Sequence, residues 1–221
     1  MRKTTKARQI ESIFIDKYRN AKTELVYSNL YELVICVILS AQCTDKRVNI
    51  VTPSLFGAFP NVESLANADI AKVKDLIKSV SFFNNKAKNI IAFAKGVMER
   101  FGGEIPLNAK DLKSLAGIGQ KTANVVLLEY CEANLMAVDT HVFRVSHRLG
   151  LSTAKTPESC EKDLNKIFKN NRATLHQAFV LFGRYICKAL KPECQKCFVS
   201  EYCVYKNGKN SYNTPLKQRR M

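Results

Sequence analysis

Asp111-Leu-Lys-Ser-Leu-Ala-Gly-Ile-Gly-Gln-Lys-Thr-Ala-Asn-Val-Val-Leu127 is the stretch on which the fold turns. A short helix is expected to end at Leu115 or Ala116, Gly117-Ile118-Gly119 to form a tight turn, and a second helix to begin near Gln120. Two glycines flanking an aliphatic residue permit positive φ and close approach of another backbone. Ile118 is then placed to pack between the helices, while N–H groups at the turn point outward, with Thr122 in the first helical turn. Such groups at a helix start make a cradle for phosphate. A cradle of this kind grips a nucleic-acid backbone and carries no base information. An ordinary αα-hairpin accounts for the glycines alone equally well.

Lys121 changes that balance. A cation in the first turn is not the charge a helix N-terminus favours, and any burial would add a desolvation cost. Both effects act to lower an amine's pKa, and a neutral amine is what attack on a sugar carbon requires. An exposed lysine touching phosphate is the plainer reading. The second candidate lies in Ala137-Val-Asp-Thr-His-Val-Phe-Arg144. Asp139 opens a helix there and serves at least as its N-cap. A carboxylate held by backbone N–H groups stays ionised. Beneath a deoxyribose it would stabilise oxocarbenium charge. His141 and Arg144 are expected to orient this helix or to bind phosphate.

Working outward, the apolar periodicity is helical nearly everywhere. Ile10, Ile13 and Phe14 mark an opening helix; Ile70, Val73, Leu76 and Ile77 mark another; Ile90 to Val97 continue the pattern. Further helices are expected at 109–116, 120–133, 139–149, 157–168 and 174–189. Asn61, Asp139 and Thr156 are expected as N-caps, and Gly102–Gly103 and Gly150 as stops. Pro53 should kink or interrupt the helix that follows Asp45. No stretch alternates like a strand, so the expected fold class is all-α.

Lys and Arg total 35 against 19 Asp and Glu, a formal net charge of +16 spread along the whole chain. That excess implies a polyanionic partner. The most apolar stretch, Leu30 to Ala41, is about half the roughly 20 residues that a spanning helix needs, and it contains Glu32. It reads as a core helix, and no membrane partner is expected. The N-terminus lacks a continuous apolar segment, so a cytoplasmic, nucleoid-associated location is expected, or a nuclear one in a nucleated cell.

The eight cysteines divide into two groups. Cys36, Cys43, Cys131 and Cys160 are scattered and are expected to be buried small hydrophobes. Cys187, Cys194, Cys197 and Cys203 crowd together with 6, 2 and 5 residues between them. Four thiolates so close can wrap one tetrahedral metal or one cubane. The C-x2-C half suggests structural zinc, but the overall spacing departs from common zinc ribbons, and spacing alone leaves the metal open. Lys188, Lys191 and Lys196 decorate this loop, either as a solvated face or as phosphate contacts.

Together these pieces resemble the endonuclease III family of helix-hairpin-helix DNA glycosylases. The resemblance runs from about Glu24 to Tyr205. It rests on LSAQCTD (Leu39–Asp45), LAGIGQKTANVVL (Leu115–Leu127), AVDTHVFRV (Ala137–Val145), GRYIC (Gly183–Cys187) and the four-cysteine spacing. It implies a six-helix barrel lobe at 23–133 containing the hairpin at about 108–127. It also implies an iron–sulfur lobe made of 1–22 plus 134–205, followed by a basic, flexible tail at 206–221. The active cleft would lie between the lobes. Cys187, Cys194, Cys197 and Cys203 would hold one [4Fe–4S] cluster; with its thiolates this adds about −2, leaving roughly +14.

The implied activity is that of a bifunctional DNA glycosylase and abasic-site lyase acting as a monomer on damaged double-stranded DNA. Lys121 would be the nucleophile, Asp139 the catalytic carboxylate, and oxidised pyrimidines the substrates. The target nucleotide would be flipped out of the stack. Gln42 would probe the gap and Phe82 wedge into the opposite strand, with Gly117, Gly119, Thr122, His141, Arg144, Lys188 and Lys191 completing the DNA contacts. The sequence departs from the family pattern at Ala116, where proline is usual, and at Ser81-Phe82-Phe83, where glycine-leucine-tyrosine is usual. Two rivals share the hairpin: a monofunctional mismatch glycosylase, which lacks lysine at position 121, and a non-catalytic DNA-binding module with a structural metal.

Overall fold

Most helices of this chain begin where a small polar side chain can close the first turn. Asn29 accepts from the Glu32 N–H, Thr44 from Arg47, Asn61 from Ser64, Asn108 from Asp111 and Thr156 from Ser159. At Asn61 the Ser64 hydroxyl oxygen also accepts from the Asn61 N–H, closing a reciprocal box. The computed structural model describes residues 3–206; the tail expected at 206–221 lies, from 207 on, outside the described residues.

The elements are α1 (Lys3–Lys17), α2 (Leu30–Ser40), α3 (Asp45–Ala58), α4 (Val62–Ala66), α5 (Ile70–Ile77) and α6 (Phe83–Phe101). They continue with α7 (Ala109–Lys113), α8 (Gln120–Cys131), α9 (Thr140–Arg148), α10 (Pro157–Ile167) and α11 (Arg172–Tyr185). Two single 3₁₀ turns follow, at Cys194–Lys196 and Ser200–Tyr202. No strand occurs among the described residues, and none of the helices described is long and apolar enough to cross a membrane. The fold is all-α.

The chain forms two units, one of Thr23–Ala133 and one joining the residues up to Lys22 to those from Asn134 onward. The first is built around α2, whose residues Leu33 to Leu39 are all buried. Against α2 pack α3, α6 and α8, and α6 in turn carries α4 and α5. Its core is mainly aliphatic. The second unit has an aromatic centre in which Phe14 of α1 meets Phe179 at 4.7 Å and, edge-on, Phe182 of α11 at 5.1 Å. Phe198, between the last two cysteines, joins the same cluster 5.3 Å from Phe14.

Three local expectations need correction. Of the kink or interruption expected at Pro53, the interruption does not occur, and α3 runs as helix from Asp45 to Ala58. Val48, Val51, Thr52 and Leu55 are buried on both sides of the proline, and their packing outweighs one lost hydrogen bond. α11 stops at Tyr185 rather than 189, because the Ile186 and Cys187 N–H groups both turn back to the Phe182 carbonyl. Of the scattered cysteines only Cys36 and Cys160 are buried; Cys43 is half-buried, and Cys131 at the end of α8 is exposed.

Candidate functional site

The hairpin is held from beneath. Leu112, Leu115 and Ile118 are buried, and α7 packs on α8. Arg100 donates to the Ser114 carbonyl at 3.0 Å and to its hydroxyl at 2.8 Å, tying the end of α7 to α6. The two glycines do different work. Gly117 sits at φ +76, and a Cβ there would lie 3.1 Å from Cβ of Asn89, so both conformation and space require glycine. Gly119 has φ −88, which any residue adopts, and a Cβ there would meet nothing within 4 Å. Gly119 therefore leaves room on the outside, where a partner's backbone can approach.

Gly119 is also the N-cap of α8, and no side chain caps that helix. The positive end of its dipole faces outward without a carboxylate. Lys121 is exposed in this first turn, so the burial half of the expectation for its amine is not met in the free protein. Thr122 beside it is half-buried. Gln120 accepts from Lys113 at 2.8 Å and donates to Asn124 at 2.9 Å, bracing the turn across both helices. In the same unit Gln42 and Phe82 are both exposed, Phe82 at the start of α6.

In the other unit, Asp139 is the N-cap of α9. Its Oδ1 accepts from the His141 and Val142 N–H groups, each at 2.8 Å. The carboxyl is half-buried and its second oxygen is not used by the cap. Arg144, one turn on, donates from Nε to the Cys187 carbonyl at 3.0 Å and from a terminal nitrogen to the Gly183 carbonyl at 2.7 Å. The same nitrogen lies 3.2 Å from Nδ1 of His141. A Cβ on Gly183 would fall 2.9 Å from Cβ of His141, so glycine lets α11 close on α9. Burial pushes the His141 imidazole below its usual range, Asp139 opposing and Arg144 assisting. Arg144 thus joins α9 to the cysteine segment, and His141 lies against Gly183 of α11.

Cys187, Cys194, Cys197 and Cys203 line one cavity, together with Arg148, Ile186 and Tyr205. The donor set suits a thiolate-held cluster. A guanidinium nitrogen of Arg148 lies 3.4 Å from Sγ of Cys187, and the Lys206 N–H lies 3.3 Å from Sγ of Cys203. Hydrogen bonds of this kind favour the thiolate over the thiol. Burial raises the Cys187 thiol, and Arg148 opposes that rise. Among the described residues no three His, Cys, Asp or Glu side chains are grouped to hold a single ion. Four thiols around one cavity are a donor set that fits a cluster held by four cysteines.

Arg148 was not singled out by sequence reasoning. It donates to the Lys188 carbonyl at 2.7 Å and the Ala189 carbonyl at 3.1 Å, and it stacks 4.4 Å over Tyr205. A lone arginine near a helix end carries no sequence signal of such a role. Lys188 is paired with Glu193 at 2.5 Å, and Lys196 with the other Glu193 oxygen at 2.8 Å. The two lysines hold the Glu193 carboxyl down at about 2. Lys191 is exposed at φ 50.

Comparison with known proteins gives a consistent picture. A family model of HhH-GPD superfamily base excision DNA repair proteins matches residues 35–170, and one of the iron–sulfur binding domain of endonuclease III matches 187–203. Endonuclease III of Rickettsia felis is 44% identical over 209 residues, covering 94% of this chain and 95% of that protein. The solved structure of a non-covalent endonuclease III–DNA complex superposes with a TM-score of 0.90 at 35% identity, covering 95% of this chain and 99% of that one. A trapped endonuclease III–DNA covalent intermediate, an estranged-adenine complex, gives a TM-score of 0.87 at 36% identity, covering 92% and 98%.

Proposed function

The chain belongs to the endonuclease III family of base excision DNA repair proteins, and we propose that Lys121 and Asp139 carry its chemistry. It is a DNA glycosylase and abasic-site lyase that binds damaged double-stranded DNA, and its cofactor is a [4Fe–4S] cluster. The observation that carries the assignment of Lys121 is its position, exposed in the first turn of a helix whose cap is a glycine with open space outside.

The backbone of the damaged strand lies against the Gly117–Gly119 turn, where the uncapped start of α8 receives phosphate. The target nucleotide leaves the stack so that C1′ can be reached. The Lys121 amine, deprotonated, attacks C1′; the bond from C1′ to the base breaks, and the base departs with a proton. As the sugar ring opens, the nitrogen and C1′ become a Schiff base. Loss of a C2′ proton then expels the 3′ phosphate, cutting the strand 3′ to the lesion. Water hydrolyses the Schiff base to free the Lys121 amine and leave an unsaturated aldehyde. Asp139, anchored through one oxygen, offers its charge to the oxocarbenium character of the first step. DNA closing over Lys121 would supply the desolvation that the free protein lacks.

Cys187, Cys194, Cys197 and Cys203 hold the cluster, whose bonds cross-link a segment containing only two single turns of helix. Oxidised pyrimidines are the substrates, Lys191 adds a phosphate contact, and the enzyme works as a monomer with the chromosome in the cytoplasm.

Single-turnover assays on duplexes containing one oxidised pyrimidine test this reading. Base release accompanied by a strand break ending in a 3′ unsaturated aldehyde is expected. Base release that leaves the strand intact would identify a monofunctional enzyme instead.

A further inference from the structure

Gln42 and Phe82 both hold left-handed backbone conformations, at φ 54 and φ 57. Residues with a Cβ seldom adopt this region, bulky ones least of all. Phe82 is 59% exposed and Gln42 is exposed too, so their own side-chain packing does not impose the conformation. Strain of this kind persists only where surrounding structure over-determines it.

Lys86 connects the two positions. It lies in the first turn of α6, only 5% exposed. Its Nζ donates to the Leu39 carbonyl at 2.7 Å and to the Ala41 carbonyl at 2.6 Å. Leu39 is in the last turn of α2 and Ala41 is its C-cap. Carbonyls at a helix end lack partners within the helix, and an ammonium there meets the negative end of the dipole. The Ala41 carbonyl belongs to the peptide that enters Gln42. At its other end, the Lys86 backbone N–H donates to the Phe82 carbonyl at 3.1 Å. One residue therefore grips the peptide before Gln42 with its side chain and the peptide after Phe82 with its backbone. Burial disfavours the ammonium and pushes its pKa down, with Cys43 opposing. A buried cation is retained where it satisfies several acceptors at once.

We propose that Lys86 is a positioning residue, locking Gln42 and Phe82 into one rigid unit for entry into a damaged duplex. This rests on the reading that those two side chains probe the DNA. Lys86 itself touches neither DNA nor the reacting atoms. Its removal should loosen the two loops relative to each other while leaving the phosphate-binding hairpin intact. Lesion discrimination should then suffer more than attraction to DNA in general.

The test compares the affinity of the cluster-loaded protein for a duplex carrying an uncleavable abasic-site analogue with its affinity for the undamaged duplex. Lys86→Met should reduce the preference for the damaged duplex by about tenfold, a loss of about 1.4 kcal/mol. Undamaged-duplex affinity and its salt dependence should stay unchanged. Lys86→Arg, which restores donors to both carbonyls, should recover the preference. Adding Gln42→Ala to Lys86→Met should cost little more, because the two act through one unit. If Gln42→Ala and Phe82→Ala lower the preference but a folded Lys86→Met does not, the positioning role is wrong and the probing reading stands. If neither Gln42→Ala nor Phe82→Ala matters, the probing reading itself fails. If Lys86→Met and Lys86→Gln both fail to fold by circular dichroism, Lys86 is a core scaffold residue and the proposal is overturned.

Discussion

Between Leu115 and Leu127 the chain is held by buried aliphatic side chains, whereas between Cys187 and Cys203 it is held by arginines bonded to carbonyls and by sulfurs around a cavity. The hairpin needs no ligand to keep its shape, since Leu115, Ile118, Ala123, Val126 and Leu127 are all buried. The cysteine segment buries only Val199 and Cys203 and has two single 3₁₀ turns. Phe198 docks it on α1 and α11, and Arg144, Arg148 and the Glu193 ion pairs tie it further. The contrast separates two ways of shaping a segment: one relies on hydrophobic burial, the other on half-buried guanidinium groups and a cofactor site.

The largest expected break of that contrast is Cys197→Ser. The purified protein should lose its brown colour and its iron. Hydrogen exchange should then accelerate over 187–206 while the amides of Leu115–Leu127 stay protected. Equal loss of protection in both regions would show that the hairpin depends on the cluster too.

Arg148→Ala comes next. It removes hydrogen bonds to the Lys188 and Ala189 carbonyls and to Cys187 Sγ, as well as the stack on Tyr205. Destabilisation of roughly 2–3 kcal/mol is expected, read by urea denaturation, with faster loss of iron to a chelator. Unchanged cluster lifetime would remove Arg148 from the cluster's support.

The hairpin offers a finer comparison between its own two glycines. Gly117→Ala meets both a positive φ and Asn89, and should cost about 1–2 kcal/mol of stability. Gly119→Ala meets open space at an ordinary φ and should change stability by no more than about 0.5 kcal/mol. Its effect should appear instead as weaker DNA binding. Equal stability losses in the two variants would refute the division of labour between them.

Much of this was legible in the sequence because the signals are local. Helical periodicity, Asn61, Asp139 and Thr156 as caps, and the glycine turn before Gln120 all depend on neighbours a few residues apart. What stayed hidden depends on distance along the chain. The guanidinium of Arg148 meets carbonyls about forty residues away, and Lys86 meets carbonyls 45 and 47 residues before it. Pro53 does not interrupt α3 for the same reason, since residues on both sides of it pack into the core. Lys121 draws notice in the sequence only as a cation in the first turn of a helix, and in the structure it is exposed there rather than buried.

Borohydride reduction during turnover tests the central claim most directly. The cluster-loaded enzyme, mixed with a duplex containing one oxidised pyrimidine and reduced, should become covalently joined to the DNA. Peptide mapping should place the adduct on Lys121, and Lys121→Ala should form none while keeping its cluster and its affinity for DNA. An adduct mapped to another residue, or one undiminished in Lys121→Ala, would contradict Lys121 as the nucleophile.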